Sequence, residues 1–387
     1  MKVRQIAFKL HRYVGMMVGI ILTIVGLTGS FLVFGHEIDH LRNLPLMEVV
    51  PQGDRVSIDS ILEPVKKAYP NLKLSSIDLP RKPEETYKVG MASPDDKWID
   101  VYVHPYTGAI LGKRQWGQTL MTFIYDIHMT LLAGEIGEMV VGFCGILLLI
   151  LGVTGLILWP GWKKLTPGFK IRWNSPARLL NYDIHKVGGI FSAVFLVAIA
   201  FSGAAIIFHE QFEPAVYWLT GTPKPAEVKS TIIANSPPSS LETVLQKANA
   251  ALPGGEITFI ALPKKPDGVF RVTKKLAGEA HPSGRNRIYL DQYSAKVLRV
   301  DNALVAPIAT KIMNVLFPLH IGAYGGLVMR IIYVFVGLAP MVLFITGFVL
   351  WRQRQWAIAR RQEAIRQSQG LPAPDREILV TTAWPWI

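Results

Sequence analysis

Four stretches of this 387-residue chain contain no Asp, Glu or Lys and are each long enough to cross a lipid bilayer. They run from Tyr13 to Gly35, Met139 to Trp159, Val187 to Phe208 and Leu327 to Trp351, with Arg330 the lone charge, near one edge of the last. A span needs about 20 apolar residues. In hydrocarbon the backbone must satisfy its own hydrogen bonds, so each stretch is restricted to a helix or a closed barrel. Continuous apolar runs of this length select the helix. The first run is too long and too apolar for a cleaved signal peptide, and no small-residue cleavage site follows it, so it is expected to be retained. The outside partner of all four is the lipid bilayer.

Short basic flanks orient the spans. Lys2, Arg4, Lys9 and Arg12 precede the first; Lys163, Lys164, Lys170, Arg172 and Arg178 join the second to the third; Arg352, Arg354, Arg360, Arg361 and Arg366 follow the fourth. All three regions are expected on the cytoplasmic side, with the two long inter-span regions outside. The net charge of +13 is largely this bias. A nucleic-acid partner would call for a basic patch on a soluble face, and is not expected.

The second half of the chain repeats the first. At an offset of 174, His11 falls on His185, Arg12 on Lys186, Gly15 on Gly189, Leu22 on Leu196, Gly29 on Gly203 and Phe34 on Phe208. At an offset of 192, His128 falls on His320, Gly134 on Gly326, Phe143 on Phe335, Gly145 on Gly337, Thr154-Gly155 on Thr346-Gly347 and Trp159 on Trp351. The regions between repeat as well: Leu79-Pro80-Arg81-Lys82-Pro83 returns as Leu262-Pro263-Lys264-Lys265-Pro266, and Val101-Tyr102-Val103 as Ile288-Tyr289-Leu290. The offset grows from 183 to 187 between these pieces, so four extra residues are expected in the second copy near Gly278-Glu279-Ala280-His281. Each copy reads as one helix (Ile58 to Tyr69, Leu241 to Leu252) followed by strands, of which Lys97 to Val103 alternates clearly.

The expected fold is therefore an α-helical four-span bundle from a parallel internal duplication, with two extracytoplasmic α+β domains. In numbers: 1–12 cytoplasmic N-terminus, 13–35 span one, 36–127 first outer domain, 128–159 span two, 160–184 basic cytoplasmic loop. Then come 185–208 span three, 209–319 second outer domain, 320–351 span four and 352–387 basic cytoplasmic tail. Past Trp351 an Arg- and Gln-rich helix is expected to about Gln369, and poor order beyond, at Pro372, Pro374 and Pro385.

Histidines kept in register at membrane depth are costly and usually functional. Spans one and three both start inside, so His11 and His185 share an inner depth; His128 and His320 share an outer one. Each pair can offer two imidazoles to opposite faces of one porphyrin, an arrangement that helical bundles support and that leaves iron no open position. Cys144 is the only cysteine and CxxCH is absent, so any haem is non-covalent, of b type, two per chain. Buried hydrogen bonding is the plainer use of the same residues. Arg12 and Lys186 match across the repeat and are candidates for haem propionates, or simply part of the basic flank. His36 and His209 fall out of register by one residue, about 100° around a helix, and read as interfacial polar residues. His40, His104 and His281 lack counterparts and read as surface residues.

The chain resembles a known family at these residues. The outer repeats are similar to PepSY domains, with Tyr106-Thr107-Gly108 as the recognisable turn. The spans resemble PepSY-associated transmembrane helices through His11-Arg12 with Gly15, Asn181-Tyr182-Asp183-Ile184-His185, and Pro318-Leu319-His320-Ile321-Gly322 with Gly325-Gly326, over residues 5 to 355 or so. That family includes iron-regulated inner-membrane proteins and haem-containing ferric-siderophore reductases of Gram-negative bacteria. The resemblance implies an oxidoreductase of the bacterial inner membrane in iron uptake, with periplasmic PepSY-like domains, a ferric siderophore as substrate and a quinol or cytoplasmic reductase as donor. Two other readings stay open: a PepSY protein that binds or regulates a peptide or protease without redox activity, and a transporter.

Overall fold

The computed structural model describes residues 2–95 and 97–369. In chain order the elements are α1 (Lys2–Leu32), α2 (Gly35–Arg42), α3 (Leu44–Met47), α4 (Ile58–Ala68), β1 (Lys73–Asp78), β2 (Tyr87–Ala92), β3 (Trp98–Val103), β4 (Ile110–Gln115), α5 (Leu120–Thr130) and α6 (Gly134–Leu158). The second half follows with α7 (Leu165–Phe169), α8 (Ala177–Ile207), α9 (His209–Leu219), α10 (Leu241–Ala251), β5 (Glu256–Ala261), β6 (Val269–Lys275), β7 (Asn286–Asp291), β8 (Val297–Asp301), α11 (Ile308–His320) and α12 (Gly326–Ser368).

Helices α1, α6, α8 and α12 are long and apolar enough to cross a membrane. They form a four-cornered bundle in which α1 packs on α6 and α12, and α8 packs on the same two. The bundle keeps Ile20, Phe143, Val194 and Phe335 exposed on its outside, where hydrocarbon and not water suits them. Small residues set the closest crossing: Gly26 faces the Gly337 carbonyl, and Ser30 donates to the Val334 carbonyl at 2.9 Å. The helix after Trp351 continues to Ser368, close to the expected Gln369. The proline-rich end at 372–385 lies outside the described residues.

Two of the expected spans begin differently. The helix expected over 128–159 is two helices, because Leu131 and Leu132 both take left-handed backbone and stop α5 before α6 begins. The one expected from 320 is likewise preceded by a separate helix: α11 ends at His320, and left-handed Gly322, Gly325 and Gly326 separate it from α12. The outer histidines therefore sit on short helices that approach the bundle from one end.

The two outer domains are not separate. Their strands form one antiparallel sheet in the order β4-β3-β2-β1-β5-β6-β7-β8. The seam pairs Ser76 with Ala261, Ile77 with Ile260 and Asp78 with Phe259, so each half's open edge is closed by the other. Helices α4 and α10 cover one face, and Ile61, Val65, Val89, Val101, Val244, Val272 and Ile288 merge into one core beneath them. Ser57 caps α4 by accepting from Ser60 N–H at 3.2 Å, and Asp59 accepts from the first N–H groups of α10, Leu241 and Glu242, at 3.0 and 3.2 Å. The extra residues of the second half fall in the β6–β7 connection around Gly278, as expected.

The helix-free face turns toward the bundle end that carries α5 and α11. Arg114 on β4 grips Asp39 of α2 through two bonds of 2.8 and 2.7 Å, and Trp116 donates to Asp126 of α5 at 2.9 Å. His281 stacks on Phe317 of α11 with centroids 5.3 Å apart.

Candidate functional site

The structure brings the four register-matched histidines together in the two expected pairs. The rings of His11 on α1 and His185 on α8 have centroids 6.2 Å apart, and those of His128 on α5 and His320 on α11 have centroids 6.1 Å apart. The ring planes cross at 88° and 56°. Helices α1 and α8 frame both pairs. They carry the inner histidines themselves, and they offer backbone carbonyls to the outer ones 14 residues further on. At 1.5 Å per residue the two sites stand about 20 Å apart along the bundle, against about 30 Å of hydrocarbon.

Each ring turns its Nδ1 to an oxygen of a neighbouring helix. Thr154 donates its only proton to the Ile150 carbonyl at 2.6 Å, so toward His11 Nδ1, 3.0 Å away, it must accept. Thr346 does the same: it donates to the Val342 carbonyl at 2.7 Å and accepts from His185 Nδ1 at 2.8 Å. His128 Nδ1 donates to the Val25 carbonyl at 2.9 Å, and His320 Nδ1 to the Ile199 carbonyl at 3.0 Å. Thr28 and Ser202 stand second to these at 3.2 and 3.3 Å. Each Nδ1 is thus a donor, and each Nε2 carries its lone pair unprotonated. No Nε2 of the four makes a hydrogen bond among the described residues. A neutral imidazole whose far nitrogen is fixed by an oxygen is the form that ligates metals.

Glycines lie against every ring. A Cβ on Gly29 would stand 2.9 Å from His128 Cε1, and one on Gly203 2.8 Å from His320 Cε1. The corresponding distances at the inner pair are 3.3 Å from Gly155 to His11 and 3.4 Å from Gly347 to His185. Only glycine admits the outer rings at this depth.

These pairs suit an iron with its own equatorial ligands. A metal–imidazole bond is about 2 Å and a ring nitrogen stands about 1 Å from its centroid, so two imidazoles in line on one iron have centroids about 6 Å apart. Both pairs have that separation. Among the described residues no three of His, Cys, Asp or Glu gather as a metal cluster. A bare transition ion wants about four protein ligands, whereas a porphyrin supplies four nitrogens and asks for two.

Other candidates fall away from the pairs. His36 and His209 are exposed; His36 has His40 as its ring neighbour at 6.2 Å. Lys186 commits its three donors to Asp183 at 2.9 Å and to the Pro167 and Lys170 carbonyls at 2.7 and 3.0 Å, which leaves none for a propionate. Asp183, fully buried, is also held by Arg172 at 2.7 Å. Arg12 remains a candidate, since its Nε is buried without a partner and its guanidinium lies 4.5 Å from the Tyr13 ring centroid. Sequence reading missed the seats of the outer pair, Val25 and Ile199: carbonyl roles leave no trace in residue type. Thr28 and Ser202 did leave one, as hydroxyls in register at the 174 offset.

No curated protein matches the chain. The family model for the PepSY-associated TM region matches residues 8–354. With the four spans, the shared sheet and the paired histidines set out, that match over most of the chain means that this protein belongs to the PepSY-associated TM region family.

Proposed function

We propose that this protein is a di-haem b electron carrier of the bacterial inner membrane, built by duplication, that reduces a ferric chelate held by its periplasmic PepSY-like sheet. The observation that carries the reading is the repeated seat: two histidine pairs with centroids 6.2 and 6.1 Å apart, every Nδ1 tied to an oxygen and every Nε2 free to ligate. Haem bound at both levels would supply one-electron carriers between a cytoplasmic-side donor, a quinol or a reductase, and the outer face. The chain itself orients the imidazoles through Thr154, Thr346, Val25 and Ile199. A haem held by two histidines would have no open position for oxygen, which fits electron transfer and not oxygen chemistry. Reduction releases the metal because Fe(II) is a poorer match than Fe(III) for hard oxygen donors. The basic segments at Lys163–Arg178 and Arg352–Arg366 support the orientation.

Replacing one histidine tests the assignment. His128→Ala or His320→Ala removes the haem at the sheet end and keeps the other; His11→Ala or His185→Ala does the reverse. His36→Ala and His209→Ala leave both. Full haem content in all four site variants would overturn the ligand assignment and favour a PepSY protein that binds a peptide or protease.

A further inference from the structure

The helix-free face of the sheet is charge-matched in its first half and unmatched in its second. In the first half, Lys88 on β2 lies 3.3 Å from Asp78 on β1, and Asp100 on β3 adds a second negative charge that helps keep this lysine protonated. Cross-strand register identifies the corresponding places. Asp78 opposes Lys88 and Lys88 opposes Tyr102; in the second half Ala261 opposes Arg271 and Arg271 opposes Tyr289. Gly90 opposes Asp100, and Thr273 opposes Arg287. Two carboxylates have therefore given way, one to alanine and one to arginine, while the cation is kept.

The resulting cluster has no protein counter-ion. Arg271, Arg285 and Arg287 make no ion pair and no side-chain hydrogen bond among the described residues, and the Nε atoms of Arg271 and Arg285 are buried without partners. Burial, then the neighbouring guanidinium of Arg287, pulls Arg285 down to about 10 and lowers Arg271. The nearby carboxylates are committed elsewhere: Asp301, opposite Arg287, binds Arg299 at 3.0 Å, and Glu279 accepts from the Leu276 and Arg285 backbone N–H groups and the Asn286 amide. Half-buried guanidinium groups without a counter-ion are costly, and an incoming anion lowers the cost. Beside them lies a cavity of about 350 Å³ lined by Arg271, Lys264, Trp98, Phe259 and Tyr289. Three aromatic rings and two cations suit a flat, negatively charged ligand. The loop that carries Arg285 also reaches α11, where His281 stacks on Phe317, three residues before His320.

We infer that this pocket binds an aromatic oxyanion ligand, with Arg271 and Lys264 as its lining cations, Arg287 flanking them, and Trp98, Phe259 and Tyr289 as its ring contacts. The inference rests on the reductase reading above and names the class of chelate: one with catecholate-like ligands and net negative charge. The test uses the full chain in nanodiscs of neutral lipid and, as probe, the trianionic gallium(III) tris-catecholate complex, which cannot be reduced under these conditions. Binding is read by tryptophan fluorescence and calorimetry. The wild-type protein binds the complex, more weakly as salt rises. Arg271→Gln with Arg287→Gln weakens binding by roughly tenfold or more at unchanged melting temperature. Lys113→Ala, a charge removed from the first half, leaves it unchanged. If the double variant unfolds, Arg271→Gln alone decides, with the same direction expected. Unchanged affinity on removing the arginines, an equal loss with Lys113→Ala, or no binding by the wild type overturns the inference. Binding by a chain that contains no haem sustains it and removes the redox reading, whereas a haem-replete chain that ignores the complex removes this inference alone.

Discussion

The outer rings are fitted closely against glycine. His128 and His320 are pressed on Gly29 and Gly203, with 2.9 and 2.8 Å between the ring carbon and a hypothetical Cβ, and their Nδ1 bonds stop them from swinging away. Gly203→Ala should therefore displace His320 and lower the sheet-end haem, while Gly347→Ala, with 3.4 Å at His185, should keep close to a full complement. Pyridine haemochrome content of the two variants separates them, and equal content would contradict this fit. Thr346→Val removes the acceptor of His185 Nδ1 and should weaken haem retention at the inner site by about 10- to 100-fold, seen as haem loss during dilution, with the outer site unaffected. Much at this scale was legible in the sequence. Histidine, glycine and threonine keep their offsets, as the proposed ligation, the clearance beside each ring and the hydroxyl at the inner Nδ1 atoms would require. The Val25 and Ile199 carbonyls were not legible, since any residue has one. Nor was the full occupation of Lys186, whose bonds to the Pro167 and Lys170 carbonyls depend on how the 160–176 loop folds back.

At the scale of the element, apolar length placed the four membrane helices, and helical spacing placed α4, with α10 as its counterpart in the repeat. The break before α6 escaped because Leu131 and Leu132 are residues that seldom take left-handed backbone. The fused sheet escaped because strand pairing between halves rests on backbone groups and not on a motif. One consequence can be measured at Asp59, which caps the partner half's α10 as well as sitting in its own helix. Asp59→Ala should cost about 1 kcal/mol of outer-sheet stability and lower its melting temperature without changing haem content. No shift in melting would show that the cap contributes nothing. A second consequence concerns acid. Burial, then Arg285, Arg287 and Lys275, lowers His281 from 6.5 to about 4. Its folded value lies below its unfolded one, so the unfolded chain takes up the proton first. The contribution of this neutral ring against Phe317 is complete above about pH 6.5 and is lost as pH falls toward about 4. Melting curves of His281→Gln should be flatter with pH across that window than those of the wild type, and parallel curves would contradict the assignment.

Across the whole molecule, two incomplete halves join into one unit. Neither half alone can pair His11 with His185, or His128 with His320, and neither closes the edge of its own sheet. The halves match at the histidine pairs and differ on the sheet face, where one half sets its lysine against carboxylates and the other carries arginines without an ion pair among the described residues. The membrane part was readable because hydrocarbon leaves few options; the divergent sheet face was readable only after register was known. The most direct test is the reduced-minus-oxidised visible spectrum of the detergent-purified protein, made in haem-replete cells, with a pyridine haemochrome titration. Two b-type haems per chain, each with the spectrum of a six-coordinate bis-imidazole centre, is the predicted result. A colourless protein would contradict it.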